Sequence, residues 1–183
     1  MKDIQAAILD ACLRGDRAAQ RNFYDHFKGR MFPLCLRYAN NRQEAEDILQ
    51  EGFIKVFRDI HQYRGAGSLD GWVRKVFLHT ALHFLRKQQQ LIPTADLEKH
   101  AYRIGEDQDT ETESDHTETA ALLLRLMHRM PPGFRTVLNL YVLEGYSHQE
   151  IAAALDISVG TSKSQLNRAK AHLRALLEQQ LAS

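Results

Sequence analysis

Residues 106–119 read EDQDTETESDHTET, fourteen positions without one aliphatic residue, Phe, Tyr or Trp. Such a stretch buries too little apolar surface to offset the entropy of ordering its backbone, about 1–2 kcal/mol per residue. It can join no core, so it divides the chain. The expected organisation is a domain over residues 1–90, an acidic flexible linker over 91–117 and a second domain over 118–183. Charge follows nearly the same division. Residues 1–90 carry 15 Lys and Arg against 10 Asp and Glu, residues 91–120 carry 2 against 9, and residues 121–183 carry 7 against 4. Two mildly basic segments flank an acidic one in a 183-residue chain whose net charge is only +1. The acidic piece reads either as a solvated tether or as a strand that occupies a basic channel on a partner.

On both sides of it the apolar residues recur at helical spacing, and no segment alternates with period 2. Four prolines and ten glycines leave few turns, while Ala, Leu, Gln, Arg and Glu are plentiful. The fold class is all-α: two small helical domains. A short first helix carries Ile4, Ile8 and Ala11 and stops at Gly15. The next runs from Asp16 towards Tyr38 with Phe23, Phe27, Met31, Leu34 and Tyr38 inward, bent or weakened at Gly29 and Pro33. In EAEDILQEGFIKVFRDI, Ala45, Ile48, Leu49, Gly52, Val56 and Phe57 share a face; Asp47, Gln50, Glu51 and Ile54 lie opposite. The loop RGAGSLDG leads, with Ser68 as N-cap, into LDGWVRKVFLHTALHFLRKQQQ. That helix is expected to bury Leu69, Val73, Val76, Phe77, Thr80 and Phe84 and to project Lys75, His79, Leu82 and Arg86. TAALLLRLMHRM then forms a helix stopped by Pro131-Pro132, and GFRTVLNLYVLEG another that ends at Gly145.

Several chemistries find no support. His79 and His83 are spaced i, i+4, but HTALH lacks the Glu of HExxH and no further ligands accompany it, so His83 reads as a packed residue and no metal is expected. GxSxG, P-loop and GxGxxG are absent, so no catalytic residue, cofactor or enzyme activity is assigned. Cys12 and Cys35 have no CxxC spacing and read as small core hydrophobes in a reduced compartment. The N-terminus meets acid and base too soon for a secretory signal, and no stretch approaches a membrane span. A cytoplasmic protein is expected.

The most specific local signal is SHQEIAAALDISVGTSKSQLNRAKAHLRALL. Ser147 and Glu150 form a capping box, and Ile151, Ala152 and Leu155 make the buried stripe. Asp156-Ile157-Ser158 is a tight break before a second helix, which makes a helix-turn-helix. On that second helix Val159, Ser162, Leu166, Ala169, Leu173 and Leu177 share the inner side. Gly160, Thr161, Ser164 and Arg168 lie outward. Lys163, Asn167, Lys170 and Arg174 form one shoulder and Gln165 the other. Hydroxyl, amide and guanidinium groups at the start of such a helix suit base edges, and lysines beside them suit phosphates.

Together these pieces resemble the bacterial RNA polymerase sigma factors of the extracytoplasmic-function (ECF, group 4) branch of the sigma-70 family. Four stretches carry the resemblance in the family's order. AEDILQEGFIKVF is similar to region 2.2, and SLDGWVRKVFLHTALHFLRK to regions 2.3 and 2.4. MPPGFRTVLNLYVLEGYSHQEIAAAL is similar to region 4.1 running into 4.2, and DISVGTSKSQLNRAKAHL to the helix that reads the −35 element. The acidic stretch falls at the family's inter-domain linker. Regions 1.1 and 3 are not expected.

The resemblance implies a subunit that binds core RNA polymerase, at the β′ clamp and the β flap, and directs it to promoter DNA. Polymerase contact falls to Asp47, Gln50, Glu51 and Ile54. Contact with the −10 element falls to Ser68, Trp72, Lys75, His79 and Arg86, with Trp72 and the loop Gly65–Gly71 stabilising an unstacked non-template base. The −35 element falls to Thr161, Lys163, Ser164, Gln165, Asn167 and Arg168. The family commonly has an anti-sigma factor, often membrane-anchored. This chain departs from the family at His79 (usually Asn), His83 (often Asp), Ser162 (more often Val) and Gln165 (more often Arg). Gln prefers adenine where Arg prefers guanine. Two rival readings are a dimeric stand-alone helix-turn-helix regulator and a metal-dependent enzyme.

Overall fold

A computed structural model describes residues 9–91 and 115–182. Ile4, Ile8 and most of the expected linker lie outside the described residues. The helix after the linker starts at Asp115, so residues 115–117, expected in the linker, are helical. The chain separates into two compact units, Met1–Leu85 and Arg86–Ser183, and among the described residues all regular structure is helical.

The first unit opens with a helical turn over residues 9–13 that ends at Gly15, φ +77°. Asp16 then caps helix α1 (Arg17–Tyr38), its carboxylate accepting from the backbone N–H groups of Ala18 and Ala19 at 2.8 and 3.1 Å. The expected inner face is buried in full, and the helix continues through Pro33 to Tyr38. Asn41 caps helix α2 (Arg42–Asp59) by accepting from Glu44 N–H, and the Glu44 carboxylate accepts from Asn40 N–H, both at 2.8 Å. A 3-10 turn (Ile60–Gln62) and a loop lead to helix α3 (Leu69–Leu91). The core is a chain of rings: Phe23 lies 4.5 Å from Phe27 and 5.6 Å from Phe57, and Phe53 lies 4.5 Å from Tyr24 and 5.1 Å, edge-on, from Phe77. Gly52 lets Phe77 come this close, since a Cβ there would sit 2.3 Å from the ring. Arg30 of α1 pairs with Asp70 in the first turn of α3 and lies over the Phe27 ring.

Two expectations for α3 need correction. Leu82, expected to project outward, is buried at 2% exposure, and His83, expected to be packed, is exposed. The reason is the width of the buried stripe. Leu78, Ala81, Leu82 and Leu85 form an i, i+3, i+4, i+7 row that is buried alongside Val73 and Phe77, so the helix is covered on more than one side. Val76 and Phe84 are only half-buried at its margin.

In the second unit helix α4 (Asp115–His128) turns at Pro131, and Pro132 starts helix α5 (Pro132–Leu138), where the missing N–H costs nothing. The ladder then widens into one π turn, Asn139–Leu143, before Gly145 at φ +71° ends it. Helix α6 (His148–Leu155) has both bonds of its capping box: Ser147 Oγ accepts from Glu150 N–H at 3.2 Å, and the Glu150 carboxylate accepts from Ser147 N–H at 2.8 Å. Asp156, at φ +55°, ends α6, and Ser158 caps helix α7 (Val159–Leu181) by accepting from Thr161 N–H at 2.9 Å. Here too the inner face is corrected. Ser162, Leu166, Ala169 and Leu176 are buried, while Val159 and Leu177 are exposed and Leu155 and Leu173 half-buried. Seven-residue steps from Ser162 lead through Ala169 to Leu176, and a helix packed on one side keeps that spacing in contact.

Candidate nucleic-acid and polymerase interfaces

Helix α7 presents Lys163, Ser164, Asn167 and Arg168 to solvent. Thr161 and Gln165 are half-buried. Thr161 is drawn towards the cap, its Oγ1 2.8 Å from Ser158 Oγ, and its carbonyl accepts from the Ser164 hydroxyl at 3.0 Å. Gln165 leans on the start of α5, where a Cβ added to Gly133 would be 3.6 Å from its amide oxygen. The outward set is therefore two cations, an amide and a hydroxyl, with Gln165 on a shoulder.

Beneath it lies a contact that the helical wheel alone did not reveal. Ser162, with no exposed surface, has its hydroxyl 2.9 Å from Nδ1 of His148 at the start of α6. The His148 ring stacks on Tyr141 at 4.8 Å, and Lys170 lies 5.8 Å from the centre of the Tyr141 ring. A hydrogen bond between the two helices of the motif sets direction as well as distance, so it orients the outward face.

On α3, Lys75, His79 and Arg86 are exposed and share one side of the helix. Leu82, in the same row, is buried, which breaks the ridge between His79 and Arg86. Ser68 is exposed and accepts from Gly71 N–H at 3.0 Å. Trp72 is half-buried, 5.8 Å from the ring of Tyr63. Tyr63 was not among the expected residues. Its only sequence signal is an aromatic residue just ahead of the glycine-rich loop.

On α2, Asp47, Gln50, Glu51 and Ile54 are all exposed, Ile54 at 55%. Gln43 donates to Asp47 at 3.4 Å, and Lys55 pairs with Glu51 at 3.3 Å. Gln50 and Ile54 also border a depression between α1 and α2, which Asp47 and Glu51 do not line. Its floor includes Leu49, Phe53 and Phe57, and its rim includes Lys28 and Arg42, cations over the rings of Tyr24 and Phe32 at 5.6 and 5.3 Å. Neither was among the expected residues: Lys28 reaches the depression from α1, and Arg42 from the N-terminal end of α2.

Among the described residues no three His, Cys, Asp or Glu are grouped so as to hold a metal ion, and no helix is long and apolar enough to cross a membrane. Cys12 and Cys35 are buried and free, and burial pushes the Cys35 thiol up to about 12.

Residues 23–90 match the family model for sigma-70 region 2, and residues 120–173 that for sigma-70, region 4. The chain belongs to the sigma-70 family, in its ECF branch. The ECF RNA polymerase sigma-E factor of Haemophilus influenzae is 29% identical over 171 residues, 90% of each chain. The ECF RNA polymerase sigma factor SigE of Mycolicibacterium smegmatis is 30% identical over 93% of this chain and 66% of its own length. In fold the chain is similar to the sigma factor RpoE of Bartonella quintana, solved in complex with the anti-sigma factor NepR (TM-score 0.53, 17% identity, 86% of this chain and 98% of that one). This sigma factor directs core RNA polymerase to promoters in transcription initiation. A stand-alone regulator gives way, because region 2 accounts for the N-terminal unit.

Proposed function

We propose that this sigma factor divides its work among three surfaces. The domain over residues 1–90 holds the polymerase β′ clamp through Asp47, Gln50, Glu51 and Ile54. The same domain meets the −10 element through Ser68, Trp72, Lys75, His79 and Arg86. The domain over residues 118–183 engages the β flap and reads the −35 element through Thr161, Lys163, Ser164, Gln165, Asn167 and Arg168. The acidic stretch between the two domains adds the two grips as effective concentration, so a chain of net charge +1 need not bind DNA tightly alone. The protein carries no catalysis of its own and works in the cytoplasm. An anti-sigma factor is a fitting regulator, since the Bartonella quintana RpoE is held by one.

The observation that carries the reading is the outward row Lys163, Asn167 and Arg168 on a helix capped at Ser158 and tied to α6 through Ser162. Run-off transcription with core polymerase over a genomic fragment library supplies a promoter, and single-base variants of it then test the row. Arg168→Ala is expected to cost roughly 1–3 kcal/mol on the matched promoter and to relax one base preference. Lys170→Ala is expected to weaken all promoters about equally. Unchanged base preference and affinity in both Gln165→Ala and Arg168→Ala defeats the assignment. Ile54→Asp combined with Asp47→Lys is expected to weaken co-elution with core polymerase at unchanged helicity.

A further inference from the structure

The loop between the 3-10 turn and α3 is braced by a residue outside all four stretches that carry the family resemblance. Residues 64–68 are exposed, and Gly65 and Gly67 take φ of +73° and +89°. A loop built on two left-handed glycines has many alternative shapes. Tyr63 selects one. Its hydroxyl donates to the Gly67 carbonyl at 2.9 Å, and its own N–H donates to the Ile60 carbonyl at 3.1 Å. Its ring sits 5.8 Å from Trp72 at an inclination of 49°. The far arm of the loop is fixed by Ser68, whose carbonyl accepts from Trp72 N–H at 3.1 Å and whose hydroxyl accepts from Gly71 N–H at 3.0 Å. Both arms thus converge on the Tyr63–Trp72 pair.

We infer that Tyr63 is a positioning residue for strand opening: through its hydroxyl on Gly67 it holds the Gly65–Gly71 loop in one shape before DNA arrives, so that an unstacked nucleobase meets a preformed receptor. The inference rests on reading this loop and Trp72 as the base site of the −10 element. Extruding a base from its stack already costs a few kcal/mol. Ordering a slack loop in the same step would raise that barrier, and the brace removes this part of it. Phenylalanine at position 63 keeps the ring beside Trp72 and loses only the bond to Gly67.

The test uses holoenzyme assembled from the full chain and core RNA polymerase, on a promoter recovered by run-off transcription from a genomic fragment library. Opening is read as permanganate reactivity of unpaired thymines. Upstream grip is read as binding to a duplex that ends before the −10 element, and folding as the thermal midpoint. Tyr63→Phe is expected to lower opening about three- to tenfold, the range of one net hydrogen bond, with the upstream grip unchanged and the midpoint lowered by about a few degrees. Gly67→Ala, strained at a φ of +89°, disturbs the same loop by another route. The double variant is therefore expected to open no worse than Gly67→Ala alone. Full opening by Tyr63→Phe, or multiplied losses in the double variant, overturns the inference. Trp72→Ala, or Trp72→Leu if the first does not fold, separates the two levels. If it abolishes opening while Tyr63→Phe opens fully, the base site stands and only the brace fails. If it opens fully, the base-site reading falls and the inference with it.

Discussion

The N-terminal unit is packed with rings, whereas the C-terminal unit is packed with aliphatic side chains around buried polar ones. In the first, Phe23, Phe27, Phe53, Phe77 and Tyr38 are buried, and Gly52 lets Phe77 approach α2. In the second, Leu126, Met127, Val137, Leu140, Ile151 and Leu166 surround Arg135, Thr136, Asn139 and Ser162. The contrast separates two ways of holding helices at a fixed angle. Large rings fill space and resist compression, so the α2–α3 contact depends on shape. The helix-turn-helix instead depends on directed bonds: Ser147 caps α6, while Ser158 and Ser162 fix the start of α7.

The contrast makes the two units respond to different substitutions. The largest effect is expected from Phe77→Ala, which removes a fully buried ring and should cost about 3–5 kcal/mol. Trp72 is the chain's single tryptophan, so its fluorescence during urea unfolding reports on the N-terminal unit. Amide exchange in α6 and α7 reports on the other and is expected to stay unchanged. Loss of protection there as well would mean that the units unfold as one. Gly52→Ala comes next, at about 1–3 kcal/mol by the same fluorescence, because the new methyl overlaps the Phe77 ring. A neutral result would show that shape does not govern the α2–α3 contact.

Ser147→Ala addresses the other unit. Loss of the cap should destabilise α6 by about 1 kcal/mol, seen as faster amide exchange at Glu150 and Ile151 with the tryptophan transition unmoved. The smallest effect concerns pH. The backbone N–H and hydroxyl of Ser147 hold the Glu150 carboxyl below its usual range. A carboxyl depressed on folding adds stability above its unfolded pKa and loses it as the pH falls through the folded one. Glu150→Gln should therefore flatten a slight acid-side loss in the C-terminal unit below about pH 4.5 and change little at neutrality. An identical acid profile in wild type and variant would remove the carboxylate from the cap's energetics.

Exposure at the candidate surfaces was largely legible in the sequence. The exposure of Asp47, Gln50, Glu51 and Ile54 followed from the wheel of α2, and that of Lys163, Ser164, Asn167 and Arg168 from α7. Lys28 and Arg42 were not legible as parts of the same surface as Ile54, because the depression that joins them forms only when α1 lies against α2. Tyr63 was not legible either, since the acceptor of its hydroxyl depends on how two glycines turn.

The sequence by itself determined the helical class, the helix starts at Asp16, Ser68, Ser147 and Ser158, and the stop at Gly145. Each of these rests on bonds spanning two or three residues or on one residue's backbone freedom, so neighbouring letters suffice. Tertiary structure alone decided that Leu82 is buried and His83 exposed, that Leu176 rather than Leu177 faces inward, and that Ser162 meets His148. A helical period gives each side chain a direction. Whether that direction meets solvent or another helix depends on partners many residues away, and only packing brings them there.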